Sequence, residues 1–248
     1  MKNIHLFETK NAYDAAKSSL ILPRVSYIKE NKDVKYNPTF DANGHEFVVI
    51  AGIKWATMNV GANDVTDYGL YFQWGDTSGY TKDEIEKEHK KKFASDWSDY
   101  TKFTTNGGST FMKYNGTDGY TELALEDDAV HAAWGGSWRM PTKGEMQTVL
   151  KSTAVTKNWI PNYQGSGVNG LLCSTKTEPS KTLFLPACGD AHDGAVYNAG
   201  VSGYYWLSSL GTGGVSRAYD LIFNSDDAYV SYYNRCSGRC VRGVLAEN

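Results

Sequence analysis

Short runs of mainly apolar residues recur along the chain after residue 46, separated by segments rich in Gly and polar residues, a pattern typical of buried strands. Phe47–Ile50 and Ile53–Ala56 are two such runs, and the Ala-Gly pair between them is a turn signal, so two neighbouring strands are predicted here. Further short strands are predicted at residues 170–173, 183–185, 204–207, 218–224 and 227–231. Residues 93–120 are rich in Gly, Asn and Thr, which predicts loops.

Two segments instead place their apolar residues at the spacing of a helix. They cover residues 125–134 and 143–152, and they predict helices near 123–134 and 142–152. Thr142 is followed three residues later by Glu145, a capping-box pair that favours a helix start at this point. The strongly charged segment Thr81–Lys92 is expected to be a solvent-facing insertion, helical at most.

The first forty residues differ in pattern from the rest of the chain. A short helix-like stretch is followed by a strand-like stretch that Pro23 interrupts, which is too little to bury a core of its own. Residues 1–40 are therefore predicted to be an N-terminal attachment or assembly segment, through which homo-oligomers could form. Residues 41–248 are predicted to form one domain.

Composition and charge exclude several classes of partner. The chain has 41% hydrophobic and 21% charged residues, which is ordinary for a globular protein. Its net charge of -3 offers no basic patch, so no nucleic-acid partner is expected. No stretch approaches the roughly 20 apolar residues that a membrane-spanning helix needs. The N-terminus lacks the apolar core of a signal peptide, which predicts synthesis in the cytoplasm without export through that route.

Aromatic residues and glycine are the unusual part of the composition. The chain contains 17 Tyr, 7 Trp and 25 Gly. Tyrosine-rich surfaces interleaved with small residues are typical of recognition sites, because tyrosine gives a large contact area at a low entropy cost. A strand-rich fold with many turns enriches the same residues, so both interpretations stay open on composition alone.

Residues able to carry catalysis or bind metal are scattered. The four cysteines do not have the spacing of zinc ligands, so free thiols are expected at Cys173, Cys188, Cys236 and Cys240. Asp127–Asp128 and Asp190–Asp193 could hold a cation, but a solvated helix start and a turn are favoured. No catalytic site, metal or cofactor is expected, and the chain is predicted not to be an enzyme.

Four motifs and a tail, each weak alone, occur in a fixed order. The motifs are Trp-Ala-Thr-Met-Asn-Val-Gly-Ala at 55–62, Gly-Leu-Tyr-Phe-Gln-Trp-Gly-Asp at 69–76, Trp-Gly-Gly-Ser-Trp-Arg-Met-Pro-Thr at 134–142 and Gly-Tyr-Tyr-Trp-Leu-Ser-Ser at 203–209, and the tail carries Arg235, Gly238, Val241 and Arg242. Together they resemble the Fibrobacter-type major paralogous domain, in the formylglycine-generating-enzyme branch of C-type lectin-like folds. That branch includes variable proteins of diversity-generating retroelements, many from gut bacteria and their phages.

The resemblance covers roughly residues 45–245 and implies both a fold and a function. The implied fold is α+β and C-type lectin-like, with short antiparallel strands, two helices and long loops. The implied function is receptor recognition by a C-terminal surface that a retroelement diversifies, in a phage tail or a surface adhesin. The partner would be an extracellular or cell-surface ligand, either a protein or a glycan.

The C-terminal tail has a composition that agrees with such diversification. Residues 207–246 contain no Lys, Glu, Gln, Met or Trp, whereas residues 1–206 contain 44 of them. In the family that the chain resembles, adenines of a template are randomised, so an Asn codon can become Tyr, Ser, Asp, Gly, Arg or Cys but none of those five. Exposed strands favour Tyr, Val and Ser in any case, which is the competing explanation.

The predicted ligand contacts follow from this tail. Period-two alternation places Leu221 and Phe223 on a buried face and their neighbours on the other. Diversified positions should be exposed, because a buried misfit costs about 1–3 kcal/mol. The predicted contact residues, expected on one exposed face, are Asp220, Ile222, Asn224, Asp226, Asp227, Tyr229, Ser231, Tyr232, Tyr233, Cys236, Ser237 and Arg239.

Two alternatives remain at this point. The formylglycine-generating enzymes use a reactive cysteine pair near their C-terminus, so Cys236 and Cys240 could serve an oxidase of that type, activated by neighbouring arginines. The spacing and the surrounding sequence depart from that family's pattern. The other alternative is a structural or adhesion module of the same fold without diversification.

Overall fold

The structure is a computed structural model, and it describes residues 38–247. Strands account for 37% of the described residues and helices for 12%. The expected α+β, C-type lectin-like fold with two helices is therefore wrong: five small antiparallel sheets and three short helices form a mostly β structure in the described part. The helices are too short to form a layer, and segments without a clear sequence pattern, such as Val155–Ile160, pair as strands.

Fifteen strands and three α-helices follow one another between residues 39 and 245. The helices are α1 (Lys82–Glu86), α2 (Ala129–Trp134) and α3 (Lys143–Lys151). The strands are β1 (Thr39–Phe40), β2 (Glu46–Ile50), β3 (Ile53–Asn59), β4 (Thr104–Thr105), β5 (Thr110–Phe111), β6 (Trp138–Arg139), β7 (Val155–Ile160), β8 (Gly170–Thr175), β9 (Thr182–Pro186), β10 (Asp190–His192), β11 (Ala195–Tyr197), β12 (Gly203–Leu210), β13 (Arg217–Phe223), β14 (Ala228–Asn234) and β15 (Arg242–Leu245).

The largest sheet joins the two ends of the described chain. Its strand order is β1-β2-β3-β15-β6, so β15 lies between β3 and β6, with Val244 opposite Trp55 and Arg139. The other sheets are β7-β8-β9, β12-β13-β14 and the hairpins β4-β5 and β10-β11. Thr39–Phe40 already pair with β2, so the first sheet begins at residue 39.

Alternate residues of the same strands bury in two hydrophobic clusters. In β12, Tyr205 belongs to one cluster and Trp206 to the other, and Trp55 and Ala56 of β3 divide in the same way. Because successive side chains of a strand point to opposite faces, these strands separate two layers of one core. The two clusters therefore share their strands.

The two predicted helices lie where their spacing placed them. Thr142 accepts a hydrogen bond from the Glu145 N–H, and Glu145 accepts one from the Thr142 N–H, which confirms the capping box of α3. Arg139 clamps Glu145 with two hydrogen bonds of 2.8 and 2.7 Å. Asp128 caps α2 by accepting the N–H groups of Val130 and His131.

Two sequence interpretations near these helices need correction. Asp127 and Asp128 are 4% and 1% exposed, so they are not a solvated pair. The buried Asp127 carboxylate forms ion pairs with the ammonium groups of Lys102 and Lys113 at 2.9 and 2.7 Å. The Tyr114 hydroxyl donates a hydrogen bond of 2.6 Å to the same carboxylate. The charged insertion does form the short helix α1, but its Ile85 is fully buried.

The predicted attachment segment, residues 1–40, lies almost wholly outside the described residues, and its role in assembly stays a prediction. Between residues 38 and 247, the protein has no helix long and apolar enough to span a bilayer.

Glu46 generates a testable pH dependence of stability. Burial raises the pKa of Glu46 to about 8, although the Thr57 hydroxyl donates a hydrogen bond that opposes this rise. Between the ordinary carboxyl pKa and about 8, the folded protein binds a proton that the unfolded chain releases, so the stability present at low pH is lost as the pH rises. Glu46→Gln should remove a slope of about 1.4 kcal/mol per pH unit, measured by urea unfolding from acidic to mildly alkaline pH.

The matched control is Glu178→Gln, because Glu178 is an exposed carboxyl. It should keep the wild-type slope. An unchanged slope in Glu46→Gln would show that Glu46 is ionised in the folded protein at neutral pH.

Candidate ligand-binding surface

The sheet β12-β13-β14 brings most of the predicted contact residues together. Its register places Tyr204, Ile222 and Tyr229 side by side, one on each strand. Ser231 lies opposite Asp220, and Tyr233 lies opposite Ala218. Since residues two apart on a strand share a face, five side chains form one surface, which we call the tyrosine face: Tyr204, Ile222, Tyr229, Ser231 and Tyr233.

Exposure within the tyrosine face is graded. Tyr229 and Tyr233 are 45% and 47% exposed, whereas the other three members are half-buried. Leu221 and Phe223 on the opposite face are both fully buried, as predicted. Asp220, on the side of the tyrosine face, is buried as well, so burial does not alternate along β13. A regular sheet thus holds two exposed tyrosine rings on a backbone that a buried core fixes.

Asp220 and Arg239 are buried, contrary to the prediction that they contact the ligand. Their side chains are 0% and 1% exposed and form an ion pair of 2.7 Å. Arg239 is buried because the segment after β14 crosses this side of the sheet, where its backbone exchanges two hydrogen bonds with Phe72. Its guanidinium lies 4.8 Å from the ring centroid of Tyr204 and 4.7 Å from that of Tyr233.

The ion pair is electrostatically costly. Burial raises the pKa of Asp220 and the charge of Arg239 opposes that rise, while the neighbouring Asp190 adds to it. Both carboxylate oxygens of Asp220, together with Nε and Nη1 of Arg239, lack a partner with hydrogen-bond geometry among the described residues. Mutual attraction and the surrounding rings therefore compensate the burial of the two charges.

Cys236 and Ser237 are also buried, with 1% and 5% of their surface exposed. The prediction that they lie on the exposed surface is therefore wrong. Cys236 packs in one hydrophobic cluster and Cys240 in the other. Burial raises the pKa of Cys236 to about 12, and burial together with the neighbouring Cys188 raises the pKa of Cys240 well above its usual value. The electropositive, exposed cysteine pair that the oxidase alternative requires is not formed by these two residues.

Tyr232 lies on the other face of the sheet. It pairs with Tyr219 across the strands, and the two rings meet edge to face with centroids 5.8 Å apart. The prediction that it shares a face with Tyr229 and Tyr233 is wrong, because adjacent strand residues point in opposite directions. Its exposed side chain instead lies under Arg217, whose guanidinium is 5.4 Å from the ring centroid.

The turn between β13 and β14 carries the remaining predicted residues. The Asn224 side chain accepts the N–H groups of Asp226 and Asp227 at 2.8 and 3.0 Å, so it stabilises the turn. Asp226 and Asp227 are exposed at the end of the hairpin, next to Tyr229 in sequence. They remain available to a ligand, whereas the Asn224 oxygen is already used.

Tyr204 belongs to the tyrosine face but was missing from the predicted set. It precedes the region without Lys, Glu, Gln, Met or Trp, which begins at residue 207. The available signal was the alternation of Gly203–Leu207, which places Tyr204 and Trp206 on one face. Its partner in the sheet could not be known without the register.

Among residues 38–247, no group of three or more His, Cys, Asp or Glu side chains could hold a metal ion. Asp190–His192 form strand β10, and only Asp193 of this segment lies in the turn that leads into β11. No family model, no curated protein and no solved structure matches this chain.

The buried ion pair predicts unequal effects of two similar substitutions. Asp220→Asn leaves the charge of Arg239 buried without a counter-ion and should lower the free energy of unfolding by about 3 kcal/mol. Asp226→Asn changes an exposed carboxylate and should alter it by at most about 0.5 kcal/mol. Urea unfolding measures both, and an equal effect would contradict the assigned burial.

Because the four cysteine thiols are buried, we expect them to react slowly with a thiol reagent in the folded protein. All four thiols are at most 1% exposed, and burial raises the pKa of Cys173 and Cys236 to about 12. A thiol reagent such as DTNB should therefore react slowly with the folded protein and at once in guanidinium. Ser225→Cys, in the exposed turn, is the control and should add one rapidly reacting thiol.

Proposed function

We propose that this protein binds a ligand through the tyrosine face and the adjoining turn, without catalytic turnover. The supporting observation is that exposed Tyr229 and Tyr233 stand on a regular sheet, beside exposed Asp226 and Asp227. Tyrosine is enriched among residues that dominate binding energy, because its ring buries a large area and its hydroxyl forms hydrogen bonds. The ligand is a cell-surface or other extracellular protein or glycan.

We further propose that the exposed part of this surface is diversified by a retroelement, as in the variable proteins that the sequence resembles. Such a protein would serve in a phage tail or as a surface adhesin. The absence of Lys, Glu, Gln, Met and Trp from residues 207–246 supports this proposal. Burial limits the positions that can be diversified, because randomising a core position would unfold many variants.

The diversified set is accordingly smaller than the sequence suggested. Exposed and half-buried positions tolerate different side chains at a cost of about 0.5 kcal/mol or less when they lack special roles. The proposed variable positions are Ile222, Asp226, Asp227, Tyr229, Ser231 and Tyr233. Asp220, Cys236, Ser237 and Arg239 are proposed to be constant, because they are buried beneath or beside that surface.

Binding tests the main proposal. Wild-type protein is applied to a panel of intact bacterial cells and immobilised surface glycans, and the strongest binder is then titrated. Tyr229→Ser with Tyr233→Ser should weaken binding about 1000-fold, because two hot-spot residues that each contribute about 2 kcal/mol together contribute about 4 kcal/mol. The melting temperature should stay nearly unchanged.

The matched control replaces two exposed apolar residues elsewhere, Tyr120→Ser with Leu125→Ser, which are 41% and 51% exposed. This variant should bind like the wild type. Equal loss in both variants, or retention of binding by the tyrosine variant, would refute the assignment of the surface.

A sequence comparison within the source genome separates a diversified surface from an ordinary adhesion module. Diversification predicts a near-copy of the bases that encode the tail, next to a reverse-transcriptase gene, with differences only at adenines of the copy. The differences should fall in the codons of the proposed variable positions and spare those of Asp220 and Arg239. Differences spread evenly over buried and exposed codons would contradict the proposed division.

A further inference from the structure

Strand β14 is the edge of its sheet. All seven of its residues, Ala228–Asn234, pair with β13 in unbroken antiparallel register. The strand order β12-β13-β14 leaves its other side without a strand among the described residues. An edge of this length presents main-chain donors and acceptors that a further strand can pair with.

The backbone hydrogen bonds between β13 and β14 show which main-chain groups of β14 face outward. Backbone hydrogen bonds from Asn224 to Asp227 and from Arg235 to Ser216 flank it at the two ends. Because hydrogen-bonded and non-bonded pairs alternate in an antiparallel ladder, the groups bonded to β13 belong to Tyr229, Ser231 and Tyr233. The N–H and C=O groups that point away from β13 belong to Ala228, Val230, Tyr232 and Asn234.

At each end of this edge, one outward main-chain group already forms a hydrogen bond within the chain. The Ala228 N–H donates to the Asp227 carboxylate at 2.7 Å, and the Asn234 C=O accepts the Ser237 N–H at 3.1 Å. Among residues 38–247, no group forms a hydrogen bond with the outward N–H and C=O groups of Val230 and Tyr232. At the middle of the strand, four outward main-chain groups therefore have no hydrogen-bond partner within residues 38–247.

Helix α3 contacts β14, but the sequence of the strand itself lacks the features that usually prevent strand pairing. Natural edge strands are commonly protected by lysine, proline, inward-pointing charges or a β-bulge. The sequence Ala-Tyr-Val-Ser-Tyr-Tyr-Asn contains no charged residue and no proline, and its register has no bulge. An unprotected edge of this kind is retained where a partner strand covers it.

We propose that a second copy of this chain adds to β14, with the two β14 strands antiparallel about a two-fold axis at Ser231. In that register Val230 lies opposite the partner's Tyr232, so the four free groups of each copy meet the four of the other. The two sheets then form one continuous sheet of six strands. The interface is isologous, as a closed dimer requires.

The side chains of β14 are compatible with self-pairing. Tyr229 faces the partner's Tyr233 on the tyrosine face, and cross-strand aromatic pairs are favourable. Ser231, a small residue, faces its own copy at the axis, and no like charges oppose each other within the strand. Val230 faces the partner's Tyr232 on the other side of the sheet.

Charge at the two ends of the hairpin favours the antiparallel arrangement. Asp226 and Asp227 lie at the start of β14, and the exposed Arg217 pairs with Asn234 at its end. None of these three charged residues forms an ion pair within the described part of the chain. Antiparallel pairing brings the acidic end of one copy towards the basic end of the other, whereas parallel pairing would place like charges together.

Such a dimer is compatible with variation of the surface, although the inference does not depend on the proposed function. Main-chain hydrogen bonds do not change when side chains of the strand are replaced. An axis perpendicular to the sheet also leaves both tyrosine faces on the same side. Two faces side by side would bind a multivalent surface more strongly than one.

The test is the oligomeric state of the full chain, measured by light scattering and sedimentation over a range of concentrations. The wild type should form dimers. Val230→Pro removes an outward N–H while sparing the bonds to β13, and edge strands accept proline. It should raise the dimer dissociation constant about tenfold or more, because two hydrogen bonds are lost per dimer. Val230→Ala keeps the N–H and is the control.

Amide hydrogen exchange of the wild type gives a second readout that does not depend on the folding of a variant. The Val230 and Tyr232 amides should be protected in concentrated protein and exchange faster on dilution, whereas Tyr229 and Ser231 should be protected at both. A monomer at all concentrations overturns the proposal, even if an added extended peptide covers the edge. So does a dimer that is insensitive to Val230→Pro and leaves the Val230 and Tyr232 amides unprotected.

Discussion

The buried ion pair between Asp220 and Arg239 connects the two parts of the C-terminal region. Asp220 lies in the central strand of the sheet that bears the tyrosine face, and Arg239 lies in the segment that leaves that sheet. The same segment pairs through its backbone with Phe72 and continues into β15, between β3 and β6. Neutralising two charges inside the protein therefore depends on correct placement of strands that are far apart in sequence. The tyrosine face depends on it too, because the guanidinium supports the rings of Tyr204 and Tyr233.

Local interactions were predictable from the sequence, and those between distant segments were not. The capping box of Thr142 and Glu145 involves residues three apart, and the alternation of Leu221 and Phe223 is a property of one strand, so both could be read directly. The fold class depended on strands such as β15, whose partners lie more than a hundred residues away. The fold class was predicted as α+β because two helical patterns are visible in the sequence. Most of the strands around them have no clear pattern of their own, so the large share of strand could not be predicted.

On the candidate surface, too, the exposure of single residues could not be predicted where it depends on distant segments. Polar residue type suggested exposure for Asp220 and Arg239, but each is the counter-ion that makes the burial of the other tolerable. Tyr232 was placed by its similarity to Tyr229 and Tyr233, yet strand parity turns it to the opposite side. Composition singles out the C-terminal region as a candidate surface, but only the strand register separates the residues that reach solvent from those that support them.

That separation has a physical consequence for how such a surface can change. A sheet positions its side chains through main-chain hydrogen bonds, so the position of a Cβ atom on β14 is largely independent of the side chain attached to it. The supporting residues on the opposite face and at Arg239 are buried, and misfits there would cost a large share of a total stability of about 5–15 kcal/mol. Exposed positions on the same strand carry no such penalty. Variation confined to alternate exposed residues would therefore change the side chains that the sheet presents while its backbone geometry stays constant, and it would leave the main-chain edge of β14 able to pair.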